Sequence, residues 1–202
     1  MKTALLLLLL VSALLCPALL VAPSVRAESA SAPPAPRSVQ ARFLQEKHLP
    51  ILAQPMSSRG TFAFQAPRSL RWEYLYPVHT LLLAHKGTVK KLVEQDGRLT
   101  PDPNMRPDAM NLVLEEITAW LSGRFEDNPA FAVSRPDAKT IALTPKDAGL
   151  AAVISRIDLH LSGDEGLLDE VIIHEGPEAW TRLSFSDATL NRPLAETLFT
   201  EP

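Results

Sequence analysis

The chain has 202 residues, with 20 basic side chains against 23 acidic ones and a formal charge of −3. That mild acidity excludes a nucleic-acid binder, which needs clustered Lys and Arg. A single cysteine, Cys16, excludes a disulfide framework, so the fold must be held by its core.

The first residues, Met1-Lys2-Thr3, lead into an apolar run over residues 4–15, then Cys16-Pro17, a second apolar patch to Ala22, and Val25-Arg26-Ala27. A basic start, a leucine-rich middle and small residues at Val25 and Ala27 predict a secretory signal peptide over residues 1–27. An uncleaved anchor is the alternative, because residues 4–22 are long enough to span a bilayer. Pro17 and the small-residue end weigh against it. Leu15 stands where a lipoprotein leader needs a small residue, so Cys16 is expected to leave with the leader. Export leaves roughly 175 residues to form one core. Without Lys2 and Arg26 the net charge becomes about −5. The remaining basic spots, Lys86, Lys90 and Lys91, and Arg68 with Arg71, read as solvated strand faces.

Residues 28–37, ESASAPPAPR, form a Pro/Ala/Ser linker ahead of a domain over residues 38–202. Residues 38–52 alternate as a strand through Val39, Ala41 and Phe43, although a short helix also suits them; Pro50 and the lack of a cap favour the strand. In residues 59–77, RGTFAFQAPRSLRWEYLYP, Phe62 and Phe64 share one strand face, as do Leu70, Trp72 and Tyr74 on the next strand. The connection Gln65-Ala66-Pro67-Arg68 makes the pair a hairpin. Its other face, with Thr61, Ala63, Arg71, Glu73 and Leu75, reads as mostly wet, the pattern of an antiparallel sheet solvated on one side.

Residues 78–84 and 88–94 continue the meander through a turn at His85-Lys86-Gly87, giving five strands before the break at Pro101-Asp102-Pro103. One substantial helix is predicted over residues 107–122. Pro107 and Asp108 suit its first turn, Gly123 its end, and Met110, Val113, Leu114, Ile117 and Leu121 form a stripe with Trp120 at its edge. Strands follow at residues 130–134, 140–144, 154–161, 168–175 and 178–185, with an unassigned segment around 148–153 and an irregular tail from Asp187.

No catalytic constellation emerges. His48, His79, His85, His160 and His174 sit singly, without zinc-ligand spacing, and no nucleophile elbow, phosphate loop or dinucleotide fingerprint is present. No metal, cofactor or catalytic residue is assigned. A chain whose noteworthy residues are apolar points to binding through surface, with few reactive groups.

Several separated pieces, in order, resemble the LolA family of periplasmic outer-membrane lipoprotein carriers. They are Phe43-Leu44-Gln45-Glu46-Lys47, Gly60-Thr-Phe-Ala-Phe64, Pro67 with Leu70-Arg-Trp72 and Pro77, Ile141-Ala-Leu-Thr-Pro-Lys146, and Leu198-Phe199-Thr200. The resemblance implies a mainly β (α+β) fold, an unclosed antiparallel β-barrel with a helical lid over a hydrophobic cavity. It implies a monomeric, non-enzymatic carrier of acylated lipoprotein or lipid cargo, loaded by an inner-membrane ABC-type release complex and unloaded at an outer-membrane acceptor. The lining expected by this resemblance is Phe43, Phe62, Phe64, Leu70, Trp72, Leu81, Leu83, Ile141 and Leu143, with Val113, Leu114 and Ile117 on the lid. Two positions depart from the best-known carriers. Ala66 stands where they keep a lid-fastening arginine, with Arg68 beyond the proline, and residues 32–36 are Pro-rich where they have a first helix. A non-transporting lipoprotein- or lipid-sensing module on the same fold is the alternative.

Overall fold

The structure is a computed structural model that describes residues 36–105, 107–121, 123–125, 128–162 and 167–202, with side chains of the long helix from Leu114 onward. The expected signal peptide and most of the expected linker fall on residues 1–35, and the expected turn at Gly163–Gly166 on four further positions, all outside the described residues. Among the described residues, no helix is long and apolar enough to cross a membrane.

The strands are β1 (Ser38–His48), β2 (Met56–Gln65), β3 (Ser69–Tyr76), β4 (Thr80–His85), β5 (Thr88–Gln95), β6 (Arg98–Pro101), β7 (Phe131–Ser134), β8 (Thr140–Pro145), β9 (Arg156–Leu161), β10 (Leu168–His174) and β11 (Trp180–Leu190). They form one antiparallel sheet in the order β6-β5-β4-β3-β2-β1-β11-β10-β9-β8-β7. The first six meander from the middle of the sheet to one edge. The helix α1 (Pro107–Leu121) follows, β7 begins the opposite edge, and the remaining strands return until β11 pairs with β1. β6 and β7 do not pair, so the barrel is unclosed, and α1 belongs to the connection between its two free edges.

The turns follow from local sequence. Lys86-Gly87 and Asp96-Gly97 each place two successive residues at positive φ, between the paired residues His85 and Thr88 and between Gln95 and Arg98. That is the conformation a two-residue hairpin of right-handed twist requires, and the second residue is glycine in both. Gly123 ends α1 at φ 66°, with its N–H donating to the Trp120 carbonyl at 3.0 Å and the Arg124 N–H donating to that of Ala119 at 2.9 Å. These two bonds satisfy carbonyls that the helix end would leave open.

Inside the curve lies the main core, in which Phe43, Phe64, Leu70, Ile141, Leu143, Leu159 and Val171 are each at most 4% exposed. A second, smaller cluster of Leu81, Leu83 and Leu92, with Leu99 against it, lies apart from it. Cross-strand partners share a face. Leu81 pairs with Glu73 and Leu83 with Arg71, whereas Leu82 pairs with Trp72, so the second cluster is on the outer face.

The structure departs from the sequence reading at several places, and the strand expected over residues 38–52 ends at His48. The short strand β6 follows the Asp96-Gly97 turn, where no strand was expected. Residues 148–151 form a helical turn, α2 (Ala148–Ala151), because the Asp147 carboxylate accepts from the Gly149 and Leu150 N–H groups. β11 runs on to Leu190, since β1 pairs with it as far as Val39. The outer face of β2 and β3 is covered over much of its length, with Leu75 left exposed: Ala63 is 4% exposed, and the Arg71 and Glu73 side chains are mostly covered.

The cover is the chain's own tail, where residues Glu196–Phe199 form a 3-10 turn and Phe199 is 2% exposed. Arg71 Nη1 donates to the carbonyls of Leu198 at 3.2 Å and Glu201 at 2.8 Å, while its Nε donates to Glu73 Oε2 at 2.9 Å. Burial alone pushes the Glu73 carboxyl up, but hydrogen bonds from Arg71 and His79 outweigh it and hold the group below its ordinary value.

Candidate functional site

The inner face of the sheet and the underside of α1 enclose a cavity of about 600 Å³. This is the size of a small-molecule site. One wall comes from Val39 and Ala41 on β1, Phe62 on β2, Trp72 on β3 and Leu82 on β4. The facing wall comes from Ile157 on β9, Val171 and Ile173 on β10, and Leu183 and Phe185 on β11. Ile117, Trp120 and Leu121 of α1 cover the space between them.

Pairing explains why these side chains converge. Phe62, Trp72 and Leu82 are successive cross-strand partners, as are Ile157 with Ile173 and Val171 with Leu183. The two walls join because β1 pairs with β11, setting Gln45 opposite Leu183 and Phe43 opposite Phe185. Phe43, on the same inner face, packs against this wall, its ring 5.4 Å from that of Trp72 and 5.0 Å from that of Tyr74. Phe62 meets Trp72 edge-on at 5.3 Å and Phe185 at 6.1 Å. Such tilted aromatic contacts add to the burial of the rings.

One end of the cavity is polar. Gln45, Lys47, Tyr74, Thr80, Glu175 and Thr181 line it where β1 runs out toward residue 49. Lys47 Nζ lies 3.0 Å from Glu175 Oε2, which also accepts from Thr181 Oγ1 at 3.1 Å. The Tyr74 hydroxyl donates to Gln45 Oε1 at 2.8 Å. Burial pushes that phenol up to about 12, against a smaller pull from the neighbouring Trp72. The lining is thus an oily body with a neutral, internally paired polar end. It suits a molecule with a long apolar part and a hydrogen-bonding head.

Two side-chain contacts fasten α1 over this space. Arg68 Nη2, on the β2–β3 turn, lies 3.3 Å from Glu115 Oε1. On the other side Asn128 Nδ2 donates to Glu116 Oε2 at 2.8 Å, while its Oδ1 accepts from the N–H groups of Ala130 and Phe131. Both pairs tie the helix to the loops that flank it.

Of the residues expected on sequence to line a cavity, Phe62, Trp72 and Ile117 are on its surface. Phe43, Phe64, Leu70, Leu114, Ile141 and Leu143 are packed in the core around it. Leu81 and Leu83 are a correction: they face outward, and Leu82 takes the inner position. The Val113 side chain lies outside the described residues. Sequence reasoning missed Leu82, Trp120 and the whole β9–β11 wall. The period-2 alternation of Ile157, Leu159 and Leu161 was visible there, but nothing local said that this face meets that of Phe62.

A broader depression of about 890 Å³ lies on the outer face, between the tail and β1–β3. Charged side chains, among them Arg42, Arg71, Glu73 and Asp187, line it together with the tail, and it lacks the oily enclosure of the inner cavity. No group of three metal-ligating side chains occurs among the described residues. His79, His85 and His174 each lie within 3.0 Å of a carboxylate oxygen, of Glu73, Glu196 and Asp158 respectively.

An open antiparallel barrel with a helix over an apolar cavity defines a class of folds with room for an apolar guest. Residues 36–201 match the family described as outer membrane lipoprotein carrier protein LolA, and the chain belongs to that family. No curated protein sequence matches it. Among solved structures it is similar to a LolA superfamily protein from Nitrosomonas europaea, at 12% identity over 81% of this chain and 90% of that one, with a TM-score of 0.38. A DUF1329 family protein from Desulfovibrio piger gives 9% identity over 81% and 90%, with a TM-score of 0.43. A Pseudomonas aeruginosa MucA/MucB complex gives 19% identity over 80% of this chain and 54% of that one, with a TM-score of 0.35.

Proposed function

We propose that the protein is a periplasmic carrier that takes the acyl chains of a lipoprotein, or of another acylated lipid, into the cavity under α1 and moves them from inner to outer membrane. The observation that carries this reading is the apolar cavity of about 600 Å³ between Phe62, Trp72, Phe185 and Ile117, in a chain of the LolA family. Burying an acyl chain there gains about 0.8 kcal/mol per methylene. The polar end, with Lys47, Glu175, Thr181 and Gln45, receives the ester or amide head. A signal peptide over residues 1–27 delivers the chain across the inner membrane, and residues 38–202 do the carrying. Loading by an ABC-type complex and delivery to an outer-membrane acceptor complete the cycle. No covalent step is involved, and the residues act by fitting and excluding water.

The test is to purify the exported protein, extract it and identify bound molecules by mass spectrometry. Co-purified acylated peptide or lipid is the expected result, together with saturable uptake of a fluorescent fatty-acid probe. A protein that is empty and takes up no probe overturns the carrier and leaves a sensing module.

A further inference from the structure

Among the described residues, every large hydrophobic side chain left exposed, Leu44 apart, lies at one end of the sheet. Ile51 is 88% exposed, Val153 63% and Met56 56%, and Leu52, Tyr76 and Val78 accompany them. The register fixes this clustering. Lys47 pairs with Met56, Arg59 with Tyr76 and His48 with Trp180, so the loop of residues 49–55 and the connection of residues 77–79 are neighbours at the same rim. The Ser155 N–H donates to the His174 carbonyl, beside the β10–β11 turn, which brings Val153 to that end as well.

The two most apolar loops at this end are themselves uncharged, while Asp96, Asp147 and Glu178 stand on other turns of the same rim. Residues 49–58, LPILAQPMSS, and 75–78, LYPV, contain no charged side chain. At their base the Arg59 guanidinium lies over the Tyr76 ring, 5.0 Å from its centre. The turns at the far end expose Arg68, Lys86, Asp137 and Lys139 and none of the large apolar side chains. Leaving aliphatic side chains on uncharged loop tips is unfavourable in water. On a bilayer these tips enter the acyl boundary with no charge of their own to desolvate, and the Arg59 guanidinium just behind them lies at the depth of the headgroup phosphates.

We propose that this end of the sheet docks on a phospholipid bilayer, with Ile51, Leu52, Met56 and Val78 entering the acyl boundary and Arg59 meeting headgroup phosphate. The polar end of the cavity, with Lys47 and Glu175, lies at this same rim, so docking turns it toward the membrane surface. The inference goes beyond the carrier reading and holds for any cargo.

The experiment uses the exported protein, which lacks Cys16 once the leader is removed, with a single environment-sensitive label attached at Ile51→Cys or, at the far end, at Lys139→Cys. Each is mixed with phosphatidylglycerol/phosphatidylethanolamine vesicles carrying a nitroxide lipid. A blue shift and quenching at position 51 but not at 139 is expected. Equal quenching at both positions, or none at 51, overturns the proposal. In flotation with the same vesicles, the unlabelled pair Ile51→Asp/Val78→Asp should lower the partition coefficient about tenfold relative to the parent chain while the melting temperature holds. Undiminished partition overturns the role of these tips, and a rim that binds a protein partner but leaves the position-51 label unquenched on vesicles assigns the surface to that partner. Fatty-acid uptake by the same variants reports separately on the cavity.

Discussion

Arg68 on the β2–β3 turn reaches Glu115 on α1, with Nη2 3.3 Å from Oε1, and this contact ties the covering helix to the far edge of the hairpin. The sequence places alanine at position 66 and the arginine two residues later, beyond the proline; the side chain nonetheless arrives at the helix. Both partners are more than half exposed. An ion pair of that kind contributes at most about 1 kcal/mol, enough to change a rate and too little to hold the fold. Arg68→Ala should therefore leave the melting temperature close to that of the parent and raise the release rate of a fatty-acid probe by up to about fivefold. Stopped-flow displacement measures it. A release rate equal to that of the parent would show that α1 is held by Asn128 and its packing alone.

Leu81 and Leu82 are adjacent and face opposite sides of the sheet, which separates stability from binding. Leu81 is fully buried on the outer face, and Leu82 lines the cavity. Leu81→Ala is expected to cost about 2–5 kcal/mol of unfolding free energy by leaving a hole in a closed cluster, with probe affinity retained in the folded fraction. Leu82→Glu should do the reverse, sparing the fold and sharply weakening uptake, because an unpaired carboxylate in an oily site is costly. Trp72→Glu makes the same demand on the facing strand. Urea denaturation and probe titration on the set separate the two effects, and equal affinity loss at positions 81 and 82 would refute the assignment of faces.

That pair also marks where sequence stopped being informative. In β2 and β3 the alternation of Phe62 and Phe64, and of Leu70 and Trp72, sets apolar against polar neighbours, so the inner face could be read directly. In β4 the run Leu81-Leu82-Leu83 is apolar on both faces, because the tail and Leu99 cover the outside, and periodicity cannot choose between them. Register against Trp72 chooses. The cavity poses the same difficulty on a larger scale. Its second wall, from Ile157 to Phe185, is more than eighty positions away from Trp72 in the chain, roughly, and meets it only because β1 and β11 pair. The helix and its glycine stop were legible because they depend on neighbours a few residues apart.

Gly60 tests whether the hairpin geometry is as tight as it looks. A Cβ at this position would fall 1.8 Å from the Glu73 carbonyl oxygen and 3.0 Å from the Phe43 ring. The first contact is backbone, and it sits where the β2–β3 register shifts between Arg59 and Gly60, so no rotamer change relieves it. Gly60→Ala should force these strands apart, moving Trp72 and Phe43 with them, and destabilise the protein by more than about 3 kcal/mol, at the high end for a single substitution. Thermal unfolding monitored by tryptophan fluorescence reads the loss. A variant with unchanged stability would mean that β2 and β3 run further apart here.

The Tyr74 phenol gives the cavity an alkaline limit. Its folded value of about 12 lies above the ordinary value of 10.0, since burial disfavours the phenolate. Below pH 10 the phenol is neutral in both folded and unfolded chains, and its contribution to stability is fully present. Between 10 and 12 the unfolded chain loses the proton while the folded one keeps it, so stability falls as pH rises through this window. The loss reaches about 2–3 kcal/mol at its upper end. Tyr76→Phe leaves Tyr74 as the chain's sole tyrosine, so ultraviolet titration of that variant should show a phenol ionising close to 12. Adding Tyr74→Phe should flatten this part of the stability profile, at the expense of the hydrogen bond to Gln45. A phenol that titrates near 10 in the folded protein would place the Tyr74 hydroxyl in water and open the polar end of the cavity to solvent.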